Sequence, residues 1–68
     1  MYDRCVIQIQ QLTNTGFPLG NWQDISHMSN ATSMMVLQEM NQVRNRFNGR
    51  IRVRATDDRG RMIDMLAA

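Results

Sequence analysis

The sequence predicts an α+β domain of ββαββ order, a four-stranded antiparallel sheet with one helix packed on one face. Three observations carry that expectation. Residues 4 to 12, RCVIQIQQL, alternate between two side-chain classes. Residues 30 to 47 run without glycine or proline and repeat apolar residues at helical spacing. RIRVRATDDRGRMIDML, residues 50 to 66, alternates again on both sides of a turn. The 68 residues are expected to form a single small α+β domain, residues 1-68, and a chain of that size hides only about 60% of the surface its unfolded form exposes. An apolar share of 43% suits a folded chain, and seven methionines make the core adaptable.

In the first strand Cys5, Ile7 and Ile9 point one way and Val6, Gln8 and Gln10 the other, the pattern of a half-buried strand. TNTGFPLGN follows, a connection of Thr, Asn, Gly and the sole proline, and then WQDISHM, a shorter and less regular strand. The two read as a long-looped hairpin. Ser29 or Asn30 is placed to cap a helix that runs to Phe47. Val36, Met40, Val43 and Phe47 form its apolar stripe with Leu37 at the flank, while Gln38, Asn41 and Asn45 lie opposite. Asn48-Gly49 should close it, because glycine accepts the left-handed conformation that ends helices.

The last two strands can be tested against their own side chains. A three-residue loop, Asp58-Arg59-Gly60, with Gly60 at a left-handed bulge position, pairs Asp57 with Arg61. That register sets Ala55 opposite Ile63, Val53 opposite Met65 and Arg54 opposite Asp64; a four-residue loop would mix the faces. Chain direction allows the sheet orders 2-1-3-4 and 1-2-4-3. CVIQI and IRVRA are the most β-branched segments and suit central positions, so 2-1-3-4 is preferred. The helix then covers Cys5, Ile7, Ile9, Ile51, Val53, Ala55, Ile63 and Met65. The other face presents Gln8, Gln10, Arg50, Arg52 and Arg54, with Met62, Asp64 and Leu66 alongside.

All eight cationic residues are arginine, and the net charge of +2 conceals an asymmetry. Through Val43 one arginine stands against Asp3, Asp24 and Glu39, a balance of −2; residues 44 to 68 hold seven arginines against Asp57, Asp58 and Asp64, a balance of +4. Arginine's planar fork suits carboxylate and phosphate recognition better than an ammonium group. The alternating arginines therefore mark either a solvated outer face or a contact surface.

Groups for catalysis are few: Cys5 sits among isoleucines on the core side, and His27 has no partner at recognisable spacing. A non-enzyme is expected. With one cysteine and one histidine there is no pair at metal-ligand spacing, and Asp57-Asp58 reads as turn chemistry, so neither metal nor cofactor is expected. MYDRCVIQIQ lacks the basic start and apolar run of a signal peptide, and no stretch is apolar enough to span a bilayer, so a cytoplasmic protein without membrane contact is expected.

What remains is binding. Arg50, Arg52 and Arg54 would meet acidic groups, Gln8 and Gln10 would add hydrogen bonds, and Phe17 and Leu19 would supply apolar contact unless they fold back over the end of the sheet. The partner expected is a protein or nucleoprotein. Nucleic acid alone is the alternative, argued against by a face thought to lack stacking rings, since Tyr2, Phe17, Trp22 and Phe47 fall elsewhere in the pattern. Trp22 is expected in the core, with a possible role where an edge strand pairs with a second copy to give a homodimer.

From Trp22 onward, WQDI, the helix, IRVRATDDRGR and MIDML resemble short uncharacterised reading frames of bacteriophages and prophages. The resemblance covers about two-thirds of the chain and brings no functional motif. It implies an accessory or inhibitor protein, anti-CRISPR-like in manner, that masks a surface on host machinery. It assigns no residue a role.

Overall fold

A computed structural model describes residues 2–47 and 50–66. Strands β1 (Tyr2–Leu12) and β2 (Pro18–Ala31), helix α1 (Ser33–Arg46), and strands β3 (Ile51–Asp57) and β4 (Met62–Leu66) follow in that order. They build one antiparallel sheet, β2-β1-β3-β4, with the two β-branched strands at its centre. Helix α1 packs against β3 and β1.

The central pair is regular. Cys5 faces Asp57, Ile7 faces Ala55, Ile9 faces Val53 and Gln11 faces Ile51 without a register shift. This regularity holds the alternation intact, so Cys5, Ile7, Ile9, Ile51, Val53 and Ala55 are all buried beneath Val36, Met40 and Val43 of the helix. Each fully buried Ile, Val or Met side chain contributes roughly 1.5–3 kcal/mol relative to exposure. Phe47 packs at the edge of this core, but Leu37 stays exposed.

The helix begins later than the sequence indicates. Strand β2 continues through Ser29 and Asn30 to Ala31, Asn30 adopts φ 53°, and Thr32 is the cap, its Oγ1 accepting the Met35 N–H at 3.2 Å. Asparagine is one of the few residues that tolerates the left-handed region, so Asn30 turns the chain rather than capping it. The closing pair Asn48-Gly49 lies outside the described residues.

Both hairpins use one turn. In the second, the Asp57 N–H reaches the Arg61 carbonyl at 2.9 Å, the Gly60 N–H reaches the Asp57 carbonyl at 3.1 Å, and Gly60 has φ 78°. This is the expected three-residue bulged loop. In the first, Thr13 bonds Phe17 at 2.7 Å, Gly16 bonds Thr13 at 3.0 Å, and Gly16 has φ 90°. TNTGF is thus a tight turn, and the second part of the supposed long loop, Pro18 to Asn21, already belongs to β2. Phe17 and Leu19 do not fold back; they are 67% and 54% exposed.

Register departs from expectation on β4. Thr56 faces Met62 but Ala55 faces Asp64, so Ile63 is an extra residue and the rest of the strand slips by one. Arg54 consequently faces Met65 instead of Asp64, and Val53 faces Leu66 instead of Met65. Ile63 and Leu66 pack on the core, while Met65 belongs to the other face. Residues three apart face opposite sides of a regular strand, so Ile63 and Leu66 both reach the core only because the bulge shifts the parity between them.

A candidate binding face built on guanidinium, amide and indole

The uncovered face is an ordered layer. Because β1 and β3 are in regular register, Gln8 lies directly opposite Arg54 and Gln10 opposite Arg52. Arg54 donates from Nε to Gln8 Oε1 at 2.7 Å, and Gln8 donates from Nε2 to Asp24 Oδ1 at 2.7 Å. The amide has only one arrangement here, since its oxygen alone can accept from the guanidinium and its NH2 alone can donate to the carboxylate. Arg52 donates from Nη1 to Gln10 Oε1 at 3.3 Å and from Nη2 towards Met65 Sδ at 3.8 Å, and Gln10 Nε2 donates to the Gly20 carbonyl at 3.0 Å.

Trp22 completes the layer, which corrects its expected place in the core. Its ring lies 4.2 Å from the Arg54 guanidinium carbon and 5.4 Å from that of Arg52, within cation–π range of both. Trp22 springs from β2 and the arginines from β3, so the indole reaches over β1, across two strand spacings of about 9.5 Å in all. Irregularity in β2 makes this possible. Between the pairs Ile7–Ser26 and Gln8–Asp24 one residue, Ile25, is extra, and between Ile9–Gln23 and Gln11–Leu19 β2 holds two more residues than β1. The first bulge turns Ile25 towards the core while leaving Asp24 beside Gln8. The second, with Gly20 at φ 78°, brings the Gly20 carbonyl to Gln10 and leaves Trp22 over the open face.

The sequence therefore located four of the members, Gln8, Gln10, Arg52 and Arg54, and missed Trp22. The bulges that aim it have no signature in WQDISHM beyond the nearby Gly20. Arg50 stands at the end of the row, where Nη1 donates to Asn14 Oδ1 of the first turn at 2.9 Å. Phe17 and Leu19 are exposed in the same hairpin, and Leu19 adjoins the carbonyl that holds Gln10, but neither joins the hydrogen-bonded layer.

Electrostatically the face is cationic. The ion pair found among the described residues, Arg61 Nε to Asp57 Oδ2 at 3.4 Å, is in the second turn. Arg50, Arg52 and Arg54 are held by neutral groups, and Gln8 separates Arg54 from Asp24.

Cys5, His27 and Asp57 line one hollow at the other end of the sheet. The thiol is 1% exposed, and burial, with the Asp57 charge adding to it, raises its pKa. Asp57 is engaged by its turn: Oδ1 accepts the N–H groups of Arg59 and Arg61 at 2.9 and 2.8 Å. Those bonds, the Arg61 N–H foremost, hold its carboxyl below the usual range. The hollow thus offers a protonated thiol and an occupied carboxylate. Among the described residues no three His, Cys, Asp or Glu side chains are grouped to hold a metal ion, and no helix is long and apolar enough to cross a membrane.

Compared with protein-family models, with curated proteins and with solved structures, the chain matches none.

Proposed function

We propose that the protein is a non-enzymatic binding module that holds an anionic partner against the open face of its sheet. The observation that carries this reading is the layer of Arg52, Arg54 and Trp22, supported by Gln8 and Gln10 on a rigid strand pair. A solvated face has no need of such order. Long arginine side chains left in water sample many rotamers, and fixing one costs about 1.5–2 kcal/mol of side-chain entropy. Here that cost is met within the folded domain, which spares it at the moment of association. Arg50 extends the cationic row, and Phe17 and Leu19 stand beside it as apolar contacts.

In this reading the protein acts by covering a surface, as expected of the accessory or inhibitor proteins whose reading frames it resembles. The partner is a host protein or nucleoprotein complex that exposes negative charge. Replacing Arg50, Arg52 and Arg54 together with glutamate tests the face. A partner recovered from extracts of the source cells by the unaltered protein should be retained at least about tenfold less well by the variant, a loss of about 1.4 kcal/mol. Circular dichroism should show the fold kept. Undiminished retention by a folded triple variant places the contact surface elsewhere.

A further inference from the structure

Resting on that reading, we infer that the partner is a nucleoprotein and that what it presents to the open face is its single-stranded nucleic acid, bases stacking on the Trp22, Arg52 and Arg54 layer while phosphates follow the arginine row. Three features favour it over an acidic protein surface. First, a carboxylate is best recognised by the paired nitrogens of an arginine fork. Arg52 commits one N–H of each Nη, to Gln10 and towards Met65, and Arg54 commits Nε to Gln8, so each keeps donors for a phosphate oxygen while presenting its plane beside Trp22. Planes of guanidinium and indole are what an unstacked base packs against. Secondly, Trp22 is partly exposed, so the ring that orders the arginines also presents surface to a ligand. Thirdly, Arg50 opens the row at the residue before β3, and within the strand Arg52 and Arg54 alternate, which spaces them about 6.8 Å apart. That is twice the 3.4 Å rise per strand of a stacked duplex, and it suits the phosphates of a strand pulled out to expose its bases. Such a face reads stacking surface and charge, so little sequence preference is expected.

Trp22 is the only tryptophan in the chain, so its fluorescence reports directly on the face. The probes are oligothymidylate, a duplex of matched length and polyglutamate, titrated into the intact protein. Oligothymidylate should quench Trp22. If three phosphates are contacted, its affinity should fall with a log–log salt slope of about −2, roughly 15- to 20-fold from ~50 to ~200 mM salt. Trp22→Ala, followed by the anisotropy of a labelled oligonucleotide, should weaken binding by about tenfold or more, and Trp22→Phe should restore most of it. Urea unfolding of each variant shows that the domain stays folded.

Binding of polyglutamate without oligothymidylate would overturn the nucleic-acid assignment and leave the binding face standing. Equal affinity for duplex and single strand, or affinity indifferent to Trp22→Ala in a folded variant, would overturn the stacking role and the inference with it. Binding of none of the three probes overturns the inference as well, and the glutamate variant with the cellular partner then decides the wider reading separately.

Discussion

The two faces of the central strand pair come from the same alternating residues and are held by different forces. On the covered side Ile7, Ile9, Val53 and Ala55 lose essentially all contact with water beneath the helix. Their attraction is non-directional, and what it requires is volume and shape. On the open side Gln8, Gln10, Arg52, Arg54 and Trp22 are joined by directional bonds and stacking, each worth about 0.5–1.5 kcal/mol between neutral groups and up to about 3 kcal/mol where a charge takes part. The difference teaches where stability resides. The covered face makes the fold, and the open face could be simplified with little loss of stability. Its order is what the proposed binding role rests on.

Neighbouring residues of one strand give the sharpest contrast. Ile9→Ala should cost about 2–5 kcal/mol, which in a domain this small leaves much of the population unfolded at room temperature. Gln10→Ala, one position along, removes the long, half-buried acceptor of Arg52 and an exposed bond to the Gly20 carbonyl, and should cost about 1–2 kcal/mol. Urea midpoints measured on both variants would show the asymmetry, and equal costs would erase the distinction between the faces.

Gly60→Ala comes next. Nothing lies within 4 Å of an added Cβ, so the penalty is that of the left-handed backbone at φ 78°, about 1–2 kcal/mol. Its measure is a lowered urea midpoint with an unchanged slope. A smaller effect belongs to the same turn. Because the folded-state pKa of Asp57 is depressed, its contribution to stability is present above the ordinary carboxylate value and is lost as pH falls through the depressed one. The stability difference between the protein and Asp57→Asn should accordingly be full at neutral pH and shrink in acid, read from urea midpoints across that range. A constant difference would mean that the carboxylate charge plays no part.

The regular parts of this fold were legible because one residue type per face suffices to state them. Alternation in RCVIQIQ and IRVRA told which residues face the core and which face outward, and Asp-Asp-Arg-Gly indicated the second turn. What escaped was every residue gained inside a strand. The bulge at Ile63 exchanges Met65 and Leu66 between faces, and the bulges of β2 carry Ile25 inward and Trp22 outward. A bulge shifts parity without changing composition, so alternation alone assigns the residues beyond it to the wrong side. The site was half-visible for the same reason: its arginines and glutamines lie on the regular strands, and its aromatic ring lies on the irregular one. The start of the helix shows the same limit: Ser29 or Asn30 was expected as the cap, and the continuation of β2 to Ala31 moves it to Thr32.

The claim at the centre is that Trp22 lies stacked on Arg54 and Arg52 in the free protein. Proton NMR of the side chains tests it most directly, because protons above an indole ring are shifted upfield. The δ-methylene and Nε protons of Arg54, and to a lesser degree those of Arg52, should resonate upfield of their random-coil positions and return to them in Trp22→Leu. Random-coil shifts for both arginines in the folded, unaltered protein would contradict the account.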